Sequence, residues 1–321
     1  MDLQVKRVAI CGATGFIGRN LAERFARDPN YQVTAVFNRK PPFDLAGVKW
    51  IQADLTRQED VLRVLTGQDV ILQAAAMTSG IHTTFSKPSQ VIVDNAVMNS
   101  YIFAAAHELN AQQVVFPSCT IMLGSSAAPQ RESDYDPSIP PLPVYEGPAY
   151  TKLYLEHLAQ FYARVGRTKF TVFRHSNVYG PHDKFDLKTS HVFGATITKV
   201  LSAADSRIEV WGTGEEGRDL LHIDDLVEAF VAAVERQTEK FSLYNIGSGD
   251  QIAISDLVRK VIDLAGRDLR ICYDETKPTI KTSVSLDCTK AKAELGWQPK
   301  IGIDEGIRRT LAWWREARPV G

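Results

Sequence analysis

Residues 10–21 read ICGATGFIGRNL, with Gly12, Gly15 and Gly18 set between an apolar run and an amphipathic one. The run before them, RVAIC, has the composition of a strand, and the pattern from Phe16 to Arg27 predicts a helix. Glycine permits a tight turn and a close approach of backbone to a pyrophosphate, while a helix N-terminus offers free N–H groups and the positive end of its dipole. In a strand–turn–helix setting this spacing points to a dinucleotide site lined by Gly12, Thr14, Gly15, Phe16, Ile17 and Gly18.

Outward from that loop the pattern repeats. QVTAVF, VKWIQA, DVILQAAA, QVVFPS and KFTVFR are short apolar runs, with helical patterns at Phe16 to Arg27, Gln58 to Leu65 and Ser89 to Leu109 between them. Near-continuous apolar strands alternating with helices predict an α/β fold, a doubly wound parallel sheet covered on both faces. DPSIPPLPVYEGP (136–148) reads as a loop. Beyond residue 175 the alternation becomes irregular, which predicts a smaller C-terminal lobe over 176–321, with 219–238 returning to the first domain at 1–175.

The 321 residues are 44% hydrophobic and 23% charged with a formal net charge of −1, so no electrostatic argument favours nucleic acid or an anionic membrane as partner. No signal-peptide or membrane-length apolar stretch occurs, and a cytoplasmic protein is expected. Cys11, Cys119, Cys272 and Cys288 lack metal-ligand spacing and read as free thiols; no metal is expected.

The end of the second strand bears on the cofactor. A carboxylate there would favour NAD by bonding the adenosine ribose. Here VFNRK (36–40) offers Asn38, Arg39 and Lys40 instead, cations suited to a 2′-phosphate, so NADP(H) is expected with NAD as the alternative. Asp54 and Leu55 of QADLT are placed for the adenine, though Asp54 could equally cap the next helix. Ala74, at the fourth strand's end, joins the cofactor group.

GATGFIG, ADL, QAAA, SNVYGP, GRDLLHIDD, YNIGSG and ELGWQP occur in the order typical of the extended short-chain dehydrogenase/reductase family, which the whole chain resembles. Within it, NVYGPHDKFDLKTSHV (177–192) and EVWGTGEEGRDLLHIDD (209–225) are most similar to the GDP-L-fucose synthases. The resemblance implies a Rossmann-type domain, a nucleotide-sugar-binding lobe, a GDP-sugar substrate and a homodimer built through two long helices. It also implies catalytic roles for Lys152, supported by Glu156, and for His191, and nucleotide contacts for Asn177, Lys199, Trp211 and Arg218. The family's strand-end serine falls at Cys119, with Ser118 adjacent. Its cysteine falls at Ile121, which would share a face with Cys119 if the chain stayed extended.

The departure that matters most lies in YEGPAYTK (145–152). The family's tyrosine sits four residues before the lysine, and here that place is Pro148. Proline suits a first helical turn, so a helix start at Pro148 is expected. Tyr150 would then point away from the Lys152 face. Tyr145 could swing over the nicotinamide as replacement proton donor, with Glu146 behind it. Three readings follow: an NDP-sugar epimerase/reductase, a keto-sugar epimerase without net reduction, or a catalytically silent NDP-sugar- and NADP-binding partner of an active homologue.

Overall fold

The computed structural model describes residues 5–78 and 88–317. Seven parallel strands form the central sheet: β1 (Lys6–Cys11), β2 (Tyr31–Phe37), β3 (Val48–Gln52), β4 (Val70–Gln73), β5 (Gln113–Pro117), β6 (Lys169–His175) and β11 (Phe241–Ile246). Their order is β11-β6-β5-β4-β1-β2-β3. The strand alternation explains why both faces are covered. Val8 and Ile10 point into a core shared with Leu21, Phe25, Phe173 and Phe230, whereas Ala9 and Cys11 point into one with Phe103, Phe116 and Val172.

Helix α1 (Phe16–Ala26) and α6 (Ile223–Arg236) cover the first face; α2 (Gln58–Leu65), α3 (Ile92–Glu108) and α4 (Glu146–Val165) cover the second. The edge strand β11 lies beyond the 219–238 segment expected to return to the sheet. A second core forms around Phe193, Ile197, Leu257, Val261, Ile307 and Leu311, from α5 (Val192–Ser202), α7 (Ile254–Ala265) and α9 (Ile303–Ala317). Three two-stranded pairs edge it: β7 (Asn177–Tyr179) with β10 (Leu220–His222), β9 (Gly217–Arg218) with β12 (Ile252–Ala253), and β8 (Arg207–Trp211) with β13 (Arg270–Asp274). Helix α8 (Thr289–Leu295) ends at left-handed Gly296.

Two local expectations are corrected. Helix α3 begins at Ile92, after a short 3₁₀ turn at Pro88–Val91, rather than at Ser89. Helix α4 begins at Glu146, not Pro148; the proline occupies its third position, still within the first turn where a missing N–H costs no intrahelical bond. Among the described residues no helix is long and apolar enough to cross a membrane, and the four cysteines are unpaired.

Candidate active site

In the order β4-β1-β2 the connections leave in opposite directions, which opens a crevice at the carboxyl ends of the strands. The Gly12 loop lines it. Gly12 has φ +75°, and a Cβ there would come within 2.6 Å of the Ala75 backbone. At Gly18 a Cβ would lie 2.1 Å from the Gly12 carbonyl oxygen, so only glycine lets α1 start this close to β1. Gly15 caps α1 without a side chain and is exposed, leaving the first-turn N–H groups open to an anion. Thr14 is buried beneath the loop, with Phe16 and Ile17 half-buried beside it. This loop fits a pyrophosphate.

Asn38, Arg39 and Lys40 are exposed past β2. Burial pushes the pKa of nearby His182 down to about 4, with Arg19 and Lys40 assisting and Glu23, which pairs with Arg19 at 2.9 Å, opposing. Asp54 is half-buried and its Oδ1 accepts from Thr56 N at 3.1 Å and Thr56 Oγ1 at 2.7 Å. It does not cap α2, whose N-cap is Arg57. Leu55 is buried, and Ala74 N donates to Cys11 O at 3.0 Å.

The reactive groups gather where β5 and β6 end. Lys152 Nζ donates to Pro117 O at 2.9 Å and sits 4.7 Å from the centre of the Phe116 ring. Burial lowers its pKa, with Cys119 and Glu156 opposing. Burial likewise raises the Cys119 thiol against the pull of Lys152, which keeps it protonated. Tyr145, the residue before α4, turns inward beside Arg218 and Cys119; burial raises its phenol, with Arg218 opposing. His191 caps α5 and is exposed along the cleft, yet the cleft walls and then the Lys184 ammonium hold its pKa below the usual histidine value. Tyr150 and Glu146 are exposed away from this group.

Ser118 and Glu156 behave differently from expectation. Ser118 is 1% exposed and its Oγ donates to Glu156 Oε1 at 2.6 Å. Glu156 in turn receives the guanidinium of Arg174, with Nη2 at 2.7 Å from Oε2. Glu156 therefore ties β5, β6 and α4 together rather than bonding Lys152. After Ser118 the chain turns, with Leu123 N bonded to Thr120 O at 2.9 Å. Cys119 and Ile121 thus do not form an extended pair, and Ile121 packs beside Met122 and Leu123.

On the lobe side, Lys199 Nζ donates to Glu209 O at 2.9 Å and stands 5.6 Å from the centre of the Trp211 ring, while Trp211 Nε1 donates to Glu209 Oε1 at 2.9 Å. Asn177 is exposed at the crevice, its amide 3.3 Å from Asp219 O. Arg218 is more occupied than a free phosphate fork would be. Its Nη1 donates to Gly217 O at 2.8 Å and to Thr282 O, and its Nη2 to Ile280 O at 2.8 Å, so it organises the 280–282 loop beside Tyr145. Two further groups escaped the sequence reading. Lys184 Nζ donates to Thr78 Oγ1 at 2.6 Å across the cleft. His175 ends β6 within reach of Lys152 and His191, and its place at a parallel strand's carboxyl end was the available signal.

Comparison with known proteins agrees with this geometry. Residues 8–247 match the model of the NAD dependent epimerase/dehydratase family. A GDP-L-fucose synthase of Sinorhizobium fredii is 27% identical over 96% of this chain and 95% of its own. A dTDP-4-dehydro-6-deoxy-D-allose reductase of Streptomyces bikiniensis is 26% identical over 97% of this chain and 96% of its own. The solved structure of MoeE5 with UDP-glucuronic acid and NAD superposes with a TM-score of 0.85 at 23% identity, covering 98% of this chain and 100% of that one. With its glycine loop, its parallel sheet and its family match, the chain belongs to the NAD dependent epimerase/dehydratase family of extended short-chain dehydrogenase/reductases, enzymes that use a nicotinamide dinucleotide.

Proposed function

We propose that the protein is a nucleotide-sugar epimerase/reductase that acts on an NDP-4-keto-6-deoxy-hexose, a GDP-sugar by preference, with NADP(H). The observation that carries the reading is the convergence of Cys119, Tyr145 and Lys152 at one end of the sheet, with His191 approaching His175 there from the lobe side. The GDP-L-fucose synthase and dTDP-sugar reductase relatives support the substrate class.

The Gly12–Gly18 loop would hold the pyrophosphate, Asp54 and Leu55 the adenine side, Ala74 and Lys152 the nicotinamide ribose. Only one of the three Lys152 N–H bonds is taken by Pro117 O. Bound there, a reduced nicotinamide would supply the hydride chemistry for reduction at carbon 4. The ketone acidifies the protons on carbons 3 and 5, and neutral His191 can take one of them while the protonated Cys119 thiol returns one from the other face. Lys199, Trp211, Asn177 and Arg218 would receive the nucleotide. We assign residues 1–175, with 219–238 and the edge strand β11, to cofactor binding and the remainder to the sugar nucleotide. A homodimer working in the cytoplasm, with α3 and α4 at its interface, accords with the exposed Tyr150, Tyr154, Phe161 and Val165 on α4.

A specific observation favours the second reading, epimerisation without net reduction: Pro148 removes the hydroxyl that would face Lys152. One assay separates the readings. The protein is incubated with a GDP-4-keto-6-deoxy-hexose in heavy water, with and without NADPH. NADPH consumption together with deuterium uptake is expected; uptake alone supports epimerisation only, and neither signal means a silent binding protein.

NADP(H) is favoured because Arg39 and Lys40 stand where a carboxylate would select NAD. Losing one charge-assisted contact costs about 1.5–3 kcal/mol, so Arg39→Ala should weaken NADPH roughly tenfold or more and leave NADH nearly unchanged. Calorimetric titration reads both, and equal affinities in the unmodified protein would remove the basis of the assignment.

A further inference from the structure

His175 is a strand-end histidine with one ring nitrogen committed and the other without a hydrogen-bonding partner among the described residues. β5 pairs with β6 as far as Pro117 beside Phe173, and His175 closes β6 at the same carboxyl end of the sheet. Its Nδ1 lies 2.8 Å from the carbonyl oxygen of Ser176. A carbonyl only accepts, so Nδ1 carries the hydrogen and Nε2 holds the lone pair. The carbonyl belongs to a fixed strand end, where Ser176 N donates to Ile246 O at 3.0 Å, so the backbone sets the tautomer. Among the described residues Nε2 has no hydrogen-bonding partner. Burial, with Lys152 and His191 nearby, takes the pKa down to about 4, and the imidazole is neutral near pH 7.

We infer that His175 is a second catalytic imidazole, whose Nε2 accepts the proton from a carbon flanking the ketone of the bound keto-sugar. This rests on the epimerase reading of the site. In the step the C–H bond breaks and its electron pair forms a double bond to carbon 4. The carbonyl pair moves onto oxygen, and the proton ends on Nε2. The Lys152 ammonium and the Tyr145 hydroxyl border the same region and stabilise the enolate oxygen. A base of modest strength is enough where donors hold the oxyanion, as with the carboxylate of pKa about 4.6 in ketosteroid isomerase. Cys119 returns a proton to the opposite face and inverts the carbon; thiolate and imidazolium are then reset by exchange with water.

His175→Asn places an amide nitrogen where Nδ1 was and keeps a donor toward Ser176 O. The variant and the unmodified protein are incubated with a GDP-4-keto-6-deoxy-hexose in heavy water, and deuterium at carbons 3 and 5 is followed by proton NMR. Exchange at one or both carbons should fall by about 100-fold or more, with NADPH affinity unchanged. Exchange at both carbons near the unmodified rate overturns the role of His175 and leaves the epimerase reading intact. Absence of exchange in the unmodified protein overturns both. Nitrogen-15 NMR of the unmodified protein gives an independent readout: a neutral ring protonated on Nδ1 at neutral pH is expected, and a charged ring or an Nε2–H tautomer refutes the inference.

Discussion

Replacing Tyr145 with phenylalanine should lower NADPH-dependent turnover of the keto-sugar by about 100- to 10,000-fold, the usual worth of a positioned general acid. Reduction of a ketone leaves an alkoxide that must be protonated, and the side chain four residues before Lys152 is Pro148, which has no proton to give. Tyr145 reaches the same region from the residue before α4, beside Cys119 and Arg218. Burial raises its phenol above the ordinary 10.0 even though Arg218 pulls the other way, so the hydroxyl keeps its proton throughout the physiological range. A raised donor pKa also moves the alkaline limb of the reductive pH profile upward. The midpoint of any alkaline fall due to this group should therefore lie above pH 10.0. Stopped-flow measurement of NADPH oxidation decides the matter. Full turnover in Tyr145→Phe, alongside loss in Lys152→Ala, would move the role to a donor other than Tyr145.

Glu156→Ala should destabilise the fold by about 3–5 kcal/mol, the cost of leaving one partner of a buried ion pair uncompensated. Arg174 and Glu156 side chains are only 5% and 7% exposed and meet at 2.7 Å, with Arg174 Nε also 3.2 Å from each carboxylate oxygen. Ser118 loses its acceptor in the same substitution. Because Glu156 lies on α4, Arg174 on β6 and Ser118 just past β5, this one carboxylate fixes the relative positions of Lys152, His175 and Cys119. Chemical unfolding followed by circular dichroism should show the lowered midpoint. The double variant Glu156→Leu with Arg174→Met should recover much of the loss, since it removes the stranded charge. A single variant as stable as the unmodified protein would mean that water reaches Arg174.

The sequence by itself determined the sheet, the helices that cover it and the cofactor loop. Those features depend on local rules: apolar residues alternating between two buried faces in β1 and β6, and glycines at 12 and 18 where a Cβ would strike backbone. What only the tertiary structure decided was which polar side chains meet. Ser118 and Glu156 are 38 positions apart, and Arg174 lies 18 beyond Glu156; their bonding removes the serine from the cleft and leaves Cys119 there. No periodicity encodes that pairing, because it arises from the order in which β5, α4 and β6 pack. The inward turn of Tyr145 was open until the start of α4 was fixed at Glu146, two residues before Pro148. His175 went unnoticed because its meaning lies in its neighbours: a strand-end histidine becomes a candidate base only when Lys152 and His191, from different elements, approach it.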